Sequence, residues 1–166
     1  PRVRRQRQMC IRDRFNTKEE FMEGNLFDFI EEYAMNILNR SDRLKVQVVR
    51  SDTEGIEMKF VPQNIAIILD NVVSNSTKYN ANELRVLLGK DEKQYTIDFI
   101  DDGDGVSSDI ADLNELFEFG KGYTLTGTGV GLYHIKDIVE KDLQGTVTIE
   151  SEPQKGFALH VRFGKV

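Results

Sequence analysis

Apolar residues recur along this chain with two alternating periods, and the switches between them mark its elements. From Asn25 to Asn39, Leu26, Phe27, Ile30, Tyr33, Ala34, Ile37 and Leu38 fall at spacings of three and four, which predicts a helix with one buried face. Leu44 to Val49 and Ile56 to Val61 are short β-rich runs flanking the turn-forming Ser51-Asp52-Thr53-Glu54-Gly55, a pattern that predicts a hairpin. Pro62 suits the first turn of a helix, where its missing N–H costs nothing. Behind it Ile65, Ile68, Leu69, Val72 and Val73 form an apolar stripe running toward Tyr79. Leu84 to Leu88 and Tyr95 to Ile100 predict two further strands. A short helix is expected from Ile110 to Phe117, and a longer one from Gly131 to Leu143 with Leu132, Ile135, Ile138 and Val139 inward. Thr146 to Glu150 and Phe157 to Phe163 predict a closing hairpin that turns at Pro153 to Gly156. Strand pairs separated by helices argue for an α+β fold. The expected form is a two-layer α/β sandwich, with a mixed, mostly antiparallel sheet of about five strands packed under about three helices.

Composition changes this picture little. The chain has 166 residues, 39% hydrophobic and 30% charged, enough for one domain with a real core. No run approaches the roughly 18 apolar residues of a membrane span, and no secretory segment is visible. The single cysteine, Cys10, excludes an internal disulfide and a cysteine-based zinc site.

Charge matters more. The net charge is −6, but residues 1–14 hold six arginines and one aspartate, so the remainder is strongly acidic. Such a body repels nucleic acid and needs a local device, or a bound cation, to hold a phosphate ligand. The Arg-rich head reads either as a nucleic-acid or membrane arm or as a disordered or artefactual end. The run Gln8-Met9-Cys10-Ile11-Arg12-Asp13-Arg14 resembles translated adaptor sequence. Residues 15–166 are therefore taken as the domain, the native chain is expected to continue upstream, and neither nucleic-acid nor membrane contact is expected of the domain.

Three clusters carry candidate chemistry. Asn71, Asn75 and Lys78 fall on one side of the helix after Pro62, with Tyr79 following. An amide oxygen can ligate Mg²⁺ and a lysine can meet a phosphate, although a solvated helix face would look the same. Asp101-Asp102-Gly103-Asp104-Gly105 directly follows an apolar strand. Its glycines permit a tight turn and close approach of a ligand, and a strand-end aspartate can accept from an exocyclic amine. The glycine offset and the missing terminal glutamate exclude an EF-hand, but not a plain turn. Gly127-Thr128-Gly129-Val130-Gly131-Leu132 opens a helix, where bare N–H groups and the positive dipole end suit phosphate. It is neither a Rossmann fingerprint nor a P-loop, and a flexible linker is the plain alternative.

In this order the clusters resemble the N, G1 and G2 boxes of the Bergerat ATP-binding fold, shared by histidine kinases, DNA gyrase B, the 90-kDa heat-shock chaperones and MutL. The resemblance covers roughly residues 25 to 165 and is nearest to histidine kinases. Asn71-Val72-Val73-Ser74-Asn75-Ser76-Thr77-Lys78-Tyr79 is similar to their Asn-Leu-Leu-x-Asn-Ala-x-Lys-Tyr pattern, and Leu116-Phe117-Glu118-Phe119 to their F box. The resemblance implies ATP and Mg²⁺ as ligands. Asn75 would hold the metal, Asn71 would support it, Lys78 would face phosphate, and Tyr79 would pack near ribose or adenine. Asp101 would accept from the adenine amine, with Gly103 and Gly105 letting the base lie against the turn. Gly127, Thr128, Gly129, Val130, Gly131 and Leu132 would line the phosphates. Residues from about Val106 to Thr126 would form a lid anchored by Phe117 and Phe119.

The sequence departs from the pattern in places. Ser76 replaces the usual alanine, Asp102 replaces the usual asparagine and is expected to add negative charge beside the nucleotide, and Phe117 and Phe119 are one residue closer than usual. Gyrase-like ATPases carry a water-activating glutamate where Asn71 stands, and an amide is no general base at neutral pH. Neither His134 nor His160 has the surroundings of a phosphoacceptor, so both are expected to be structural. The implied function is transfer of the γ-phosphate of ATP to a histidine on a separate dimerisation hairpin, with a response regulator downstream and the domain facing the cytoplasm. The alternatives are a serine kinase of the anti-sigma-factor type and an ATP-binding module that transfers nothing.

Overall fold

The computed structural model describes residues 20–38, 42–118 and 130–166. Its elements are β1 (Met22–Asn25), α1 (Leu26–Asn36), β2 (Lys45–Arg50), β3 (Glu57–Phe60), α2 (Pro62–Lys78), β4 (Glu83–Lys90) and β5 (Tyr95–Asp101). A 3-10 turn (Leu113–Phe117), α3 (Gly131–Asp142), β6 (Thr146–Ser151) and β7 (Phe157–Phe163) follow. Five strands form one sheet in the order β2-β4-β5-β7-β6. The β2–β4 pair is parallel and the other three pairs are antiparallel. The architecture is the expected α+β sandwich of three helices on a mixed, mostly antiparallel sheet.

The expected β2–β3 hairpin does not form. Asp52 is 7% exposed, accepts from Gly55 N–H at 3.1 Å and pairs with Lys90 Nζ at 3.2 Å, so the turn is bolted to the end of β4. Ser51 N–H also bonds Leu88 O at 2.9 Å. The chain then leaves the sheet, and β3 pairs antiparallel with β1, a strand the sequence reading did not separate from the loop before α1. Parallel neighbours need a crossover of a dozen residues or more, and α2 lies between β2 and β4 in the chain.

Helix ends follow local chemistry. Asn25 caps α1, its Oδ1 accepting from Phe27 N–H at 3.0 Å and Asp28 N–H at 3.2 Å. The helix ends at Asn36, short of the expected Asn39, and Ile37 is 44% exposed rather than inward. Pro62 occupies the first turn of α2, as expected. The short helix expected from Ile110 to Phe117 is a 3-10 turn, Leu113–Phe117, capped by Asp112, which accepts from Asn114 N–H at 3.0 Å.

The core lies between the layers. Leu84, Val86 and Leu88 of β4, Ile97 and Phe99 of β5, and Leu159, Val161 and Phe163 of β7 alternate inward, none more than 4% exposed. They join Phe27, Ile30, Ile65, Leu69, Ile135 and Val139 of the helices in one cluster. Each such side chain contributes about 1.5–3 kcal/mol on burial. On the opposite face of the sheet, Asp98 Oδ1 meets His160 Nδ1 at 2.6 Å and accepts from the Arg162 guanidinium at 2.7 Å. The Nε2 of His160 lies 3.3 Å from Glu150 Oε2, within ion-pair reach, without forming a hydrogen bond. His134 is exposed on the first turn of α3, its ring 6.0 Å from that of Tyr133.

Candidate nucleotide site

The inward alternation of β5 runs Ile97, Phe99, Asp101, so the sheet's pleat places a carboxylate where the core pattern demands an apolar residue. Asp101 is 9% exposed and held by three hydrogen bonds. Its Oδ1 accepts from Gly103 N–H at 3.0 Å and Phe157 N–H at 3.2 Å, and its Oδ2 accepts from Ser76 Oγ at 2.8 Å. Buried polar groups must be paired, and three donors from three segments fix this carboxylate in one orientation.

Ser76 comes from α2. The buried face of that helix reads Ile65, Ile68, Leu69, Val72, Ser76, so the serine sits one turn beyond Val72 at a core position and is only 1% exposed. The sequence reading noted Ser76 only as a departure from alanine. The signal that would have found it is a hydroxyl on the apolar stripe, since such a group demands a buried partner. A second missed contact steadies the same helix: Tyr33 of α1 donates to Asp70 Oδ1 at 2.9 Å, next to Asn71. Desolvation, helped by that carboxylate, pushes the Tyr33 phenol up to about 12.

A cleft of about 570 Å³, open solvent included, lies in front of Asp101. It is lined by Asn75, Tyr79, Asp101, Gly105, Val106, Ser107, Ile110, Leu116, Leu132 and Phe157. Its mainly apolar walls around a few polar groups suit a partly polar small molecule. Five predicted residues meet here: Asn75, Tyr79, Asp101, Gly105 and Leu132. Asn71 is half-buried beside the cleft, its Oδ1 only 3.2 Å from where a side chain on Gly131 would begin, so α2 and the first residue of α3 touch. Lys78 is exposed and does not line the cleft. Val130 precedes α3 and gives it no side-chain cap. Gly127, Thr128, Gly129, Phe119 and the lid beyond Glu118 lie outside the described residues. Phe117 is buried, with Lys136 Nζ 5.5 Å from its ring centroid, an attraction that ties the 3-10 turn to α3.

The glycine turn is shaped first by the protein itself. Gly103 does not line the cleft; a side chain there would meet Tyr79 O at 2.7 Å, so the turn is pressed against the end of α2. Gly105 lines the cleft, but its φ of +71° and the nearby carbonyls of Glu152 and Gly156 exclude any side chain. Asp102 points elsewhere: its Oδ1 accepts from Asn82 N–H at 2.8 Å and Glu83 N–H at 2.9 Å, and the residue is absent from the cleft lining. Those bonds, that of Glu83 foremost, hold its carboxyl below the usual range despite partial desolvation. That carboxylate joins β4 to the turn and does not line the cleft.

Comparison with known proteins fits this arrangement. A family model described as "Histidine kinase-, DNA gyrase B-, and HSP90-like ATPase" matches residues 60–165, a stretch that includes α2, the Asp101 turn and α3. The chain belongs to this ATPase family. It is 28% identical over 142 residues to the sensor protein kinase PilS of Pseudomonas aeruginosa, covering 81% of this chain and 26% of PilS. It is 27% identical over 158 residues to the heme sensor protein HssS of Staphylococcus saprophyticus, covering 89% of this chain and 34% of HssS. The chain thus spans about a quarter to a third of the length of these curated relatives. The catalytic domain of histidine kinase ThkA superposes with a TM-score of 0.70 at 18% identity, over 88% of this chain and 96% of that one, a likeness of fold. The chain is an ATP-binding domain of this family, and among its described residues no helix is long and apolar enough to cross a membrane.

Among the described residues no group of three or more His, Cys, Asp or Glu side chains could hold a metal. The donors present are the amides of Asn75 and Asn71. That set fits Mg²⁺ arriving with phosphates, since this ion is commonly held by few protein groups plus phosphate oxygens and water. It does not fit a free-standing metal centre.

Proposed function

We propose that this chain is the catalytic domain of a sensor histidine kinase, binding Mg·ATP and presenting the γ-phosphate to a histidine on a separate helical hairpin. The observation that carries the reading is the cleft with Asp101 fixed at its back, Asn75 on its α2 wall and the α3 start against Asn71. Asp101 accepts from the adenine amine, while Tyr79, Ile110, Leu132 and Phe157 enclose the base. Asn75 and Asn71 lie toward the phosphates, with Asn75 giving its amide oxygen to Mg²⁺. The metal, when bound, neutralises charge on the phosphates. Lys78 reaches the phosphates from the surface, and Gly127, Thr128, Gly129, Val130 and Gly131 offer backbone N–H groups.

In the reaction an imidazole nitrogen of the acceptor attacks the γ-phosphorus, the bond from that phosphorus to the β,γ-bridging oxygen breaks, and ADP leaves with its electron pair. The protein's work is positioning and charge stabilisation. With Asn71 in place of a carboxylate, no side chain there activates water, so the phosphoryl group is kept for the histidine. A response regulator takes it next.

Calorimetric titration with ADP and a non-hydrolysable ATP analogue, with and without Mg²⁺, tests the first half. Saturable binding that favours adenine and strengthens with Mg²⁺ is expected; a folded sample that binds neither nucleotide would sink the reading. A longer protein including the upstream hairpin should label from γ-labelled ATP as acid-labile, base-stable phosphate. Acid-stable label would point to a serine acceptor instead.

A further inference from the structure

We infer that Ser76 is a positioning residue for purine selectivity: it commits its hydroxyl proton to Asp101 and thereby keeps the base-recognition edge of the cleft a pure acceptor. The inference rests on the reading of Asp101 as acceptor for the adenine amine. A carboxylate offers about four lone-pair sites and, when ionised, no proton. Two sites on Oδ1 are taken by the N–H groups of Gly103 and Phe157, and one on Oδ2 by Ser76. One acceptor site remains, on the oxygen that Ser76 holds.

Serines in helices commonly donate back to their own helix or to water. Here the side chain crosses to β5, and at 1% exposure water does not compete for it. Two consequences follow. The plane of the carboxylate is fixed from its second oxygen as well as its first, so an incoming amine meets an acceptor already aimed. With the serine proton already on Oδ2, the site left on that oxygen is an acceptor, so a purine with a carbonyl at the amine's position meets acceptor against acceptor. Without the hydroxyl, the carboxylate is held from Oδ1 alone and is free to turn, so its aim at an amine is lost.

The test compares ADP with purine riboside 5′-diphosphate, which lacks the 6-amino group, and with GDP, on the 166-residue chain and its Ser76→Ala variant. Nearly isosteric Ser76→Cys, whose thiol is a weak donor, gives the same reading if the alanine form does not fold. Wild-type chain should prefer ADP over the des-amino nucleotide by about tenfold or more. In Ser76→Ala that preference should fall at least about threefold, GDP should gain on ADP, and affinity for the des-amino nucleotide should move less than about twofold. A merely structural role would weaken both nucleotides alike. An equal loss, or an unchanged or larger preference for ADP, would overturn the Ser76 inference and leave the Asp101 reading intact. A wild-type chain indifferent to the amino group would overturn both, because Asp101 would not be reading the base.

Discussion

The two ends of the cleft are built differently. At the Asp101 end the carboxylate is held before any ligand binds: it takes two backbone N–H groups and a buried hydroxyl, and the turn beyond it is tied to α2 through Asp104 N–H to Tyr79 O at 2.8 Å. At the Asn71–Asn75 end the amides are only half-buried, Lys78 is in solvent, and α3 begins without a side-chain cap. One end is preorganised before any ligand arrives, which lowers the ordering cost of binding there. The other presents groups that match a charged, hydrated, metal-carrying ligand. On the proposed reading, base recognition would belong to the fold, and phosphate handling to the complex.

The most damaging change should strike the fixed end. Gly105→Ala forces a side chain onto a residue at φ +71° and against the Glu152 and Gly156 carbonyls. It should cost at least about 3 kcal/mol, a fall of about 6–12 °C in melting temperature. Calorimetric unfolding measures this, and an unchanged transition would mean the turn is not the rigid element described.

Asp101→Asn comes next. It keeps an oxygen for Gly103 and Phe157 but replaces the remaining acceptor with a donor. ADP affinity should drop about 10- to 150-fold, with GDP losing far less. Affinity held within twofold would place the adenine elsewhere. Asn75→Ala tests the other end and should behave oppositely: the strengthening of ATP-analogue binding by Mg²⁺ should disappear, while ADP without Mg²⁺ binds within about threefold of wild type. If both nucleotides weaken equally without metal, the two ends are not separable.

The smallest effect sharpens the comparison through a neighbour. Asp102→Asn should leave ADP affinity within about twofold, because that carboxylate faces the Asn82 and Glu83 N–H groups and not the cleft. Its carboxyl is held below the ordinary value of 3.8, so its charged form favours the folded state. That contribution is complete above pH about 3.8 and is lost as pH falls through the lower folded value. The stability advantage of wild type over Asp102→Asn, followed by denaturant titration across pH, should therefore fade only in strong acid. An advantage that persists at the acid end would mean the charge is not its source.

Much of this was legible before any coordinates. Helical periodicity placed α1, α2 and α3 to within a few residues, alternation placed β4 to β7, and the ordered glycine and asparagine clusters pointed to a nucleotide cleft. These features are local: side-chain direction repeats every 3.6 or 2 residues, and a glycine permits a turn wherever it stands. Partnership was not legible. Nothing in residues 44–61 says that β2 joins β4 in parallel while β3 turns to β1, because pairing depends on which edges remain free once the rest is folded. Asp101 and Asp102 are chemically identical neighbours, and only the pleat of β5 sends one into the cleft and the other to a backbone corner. Ser76 was visible as an oddity, but its meaning required a carboxylate from another strand at 2.8 Å. Elements and the chemistry they carry follow from local order along the chain; which groups meet follows from the folded whole, because it depends on contacts between residues far apart in the chain.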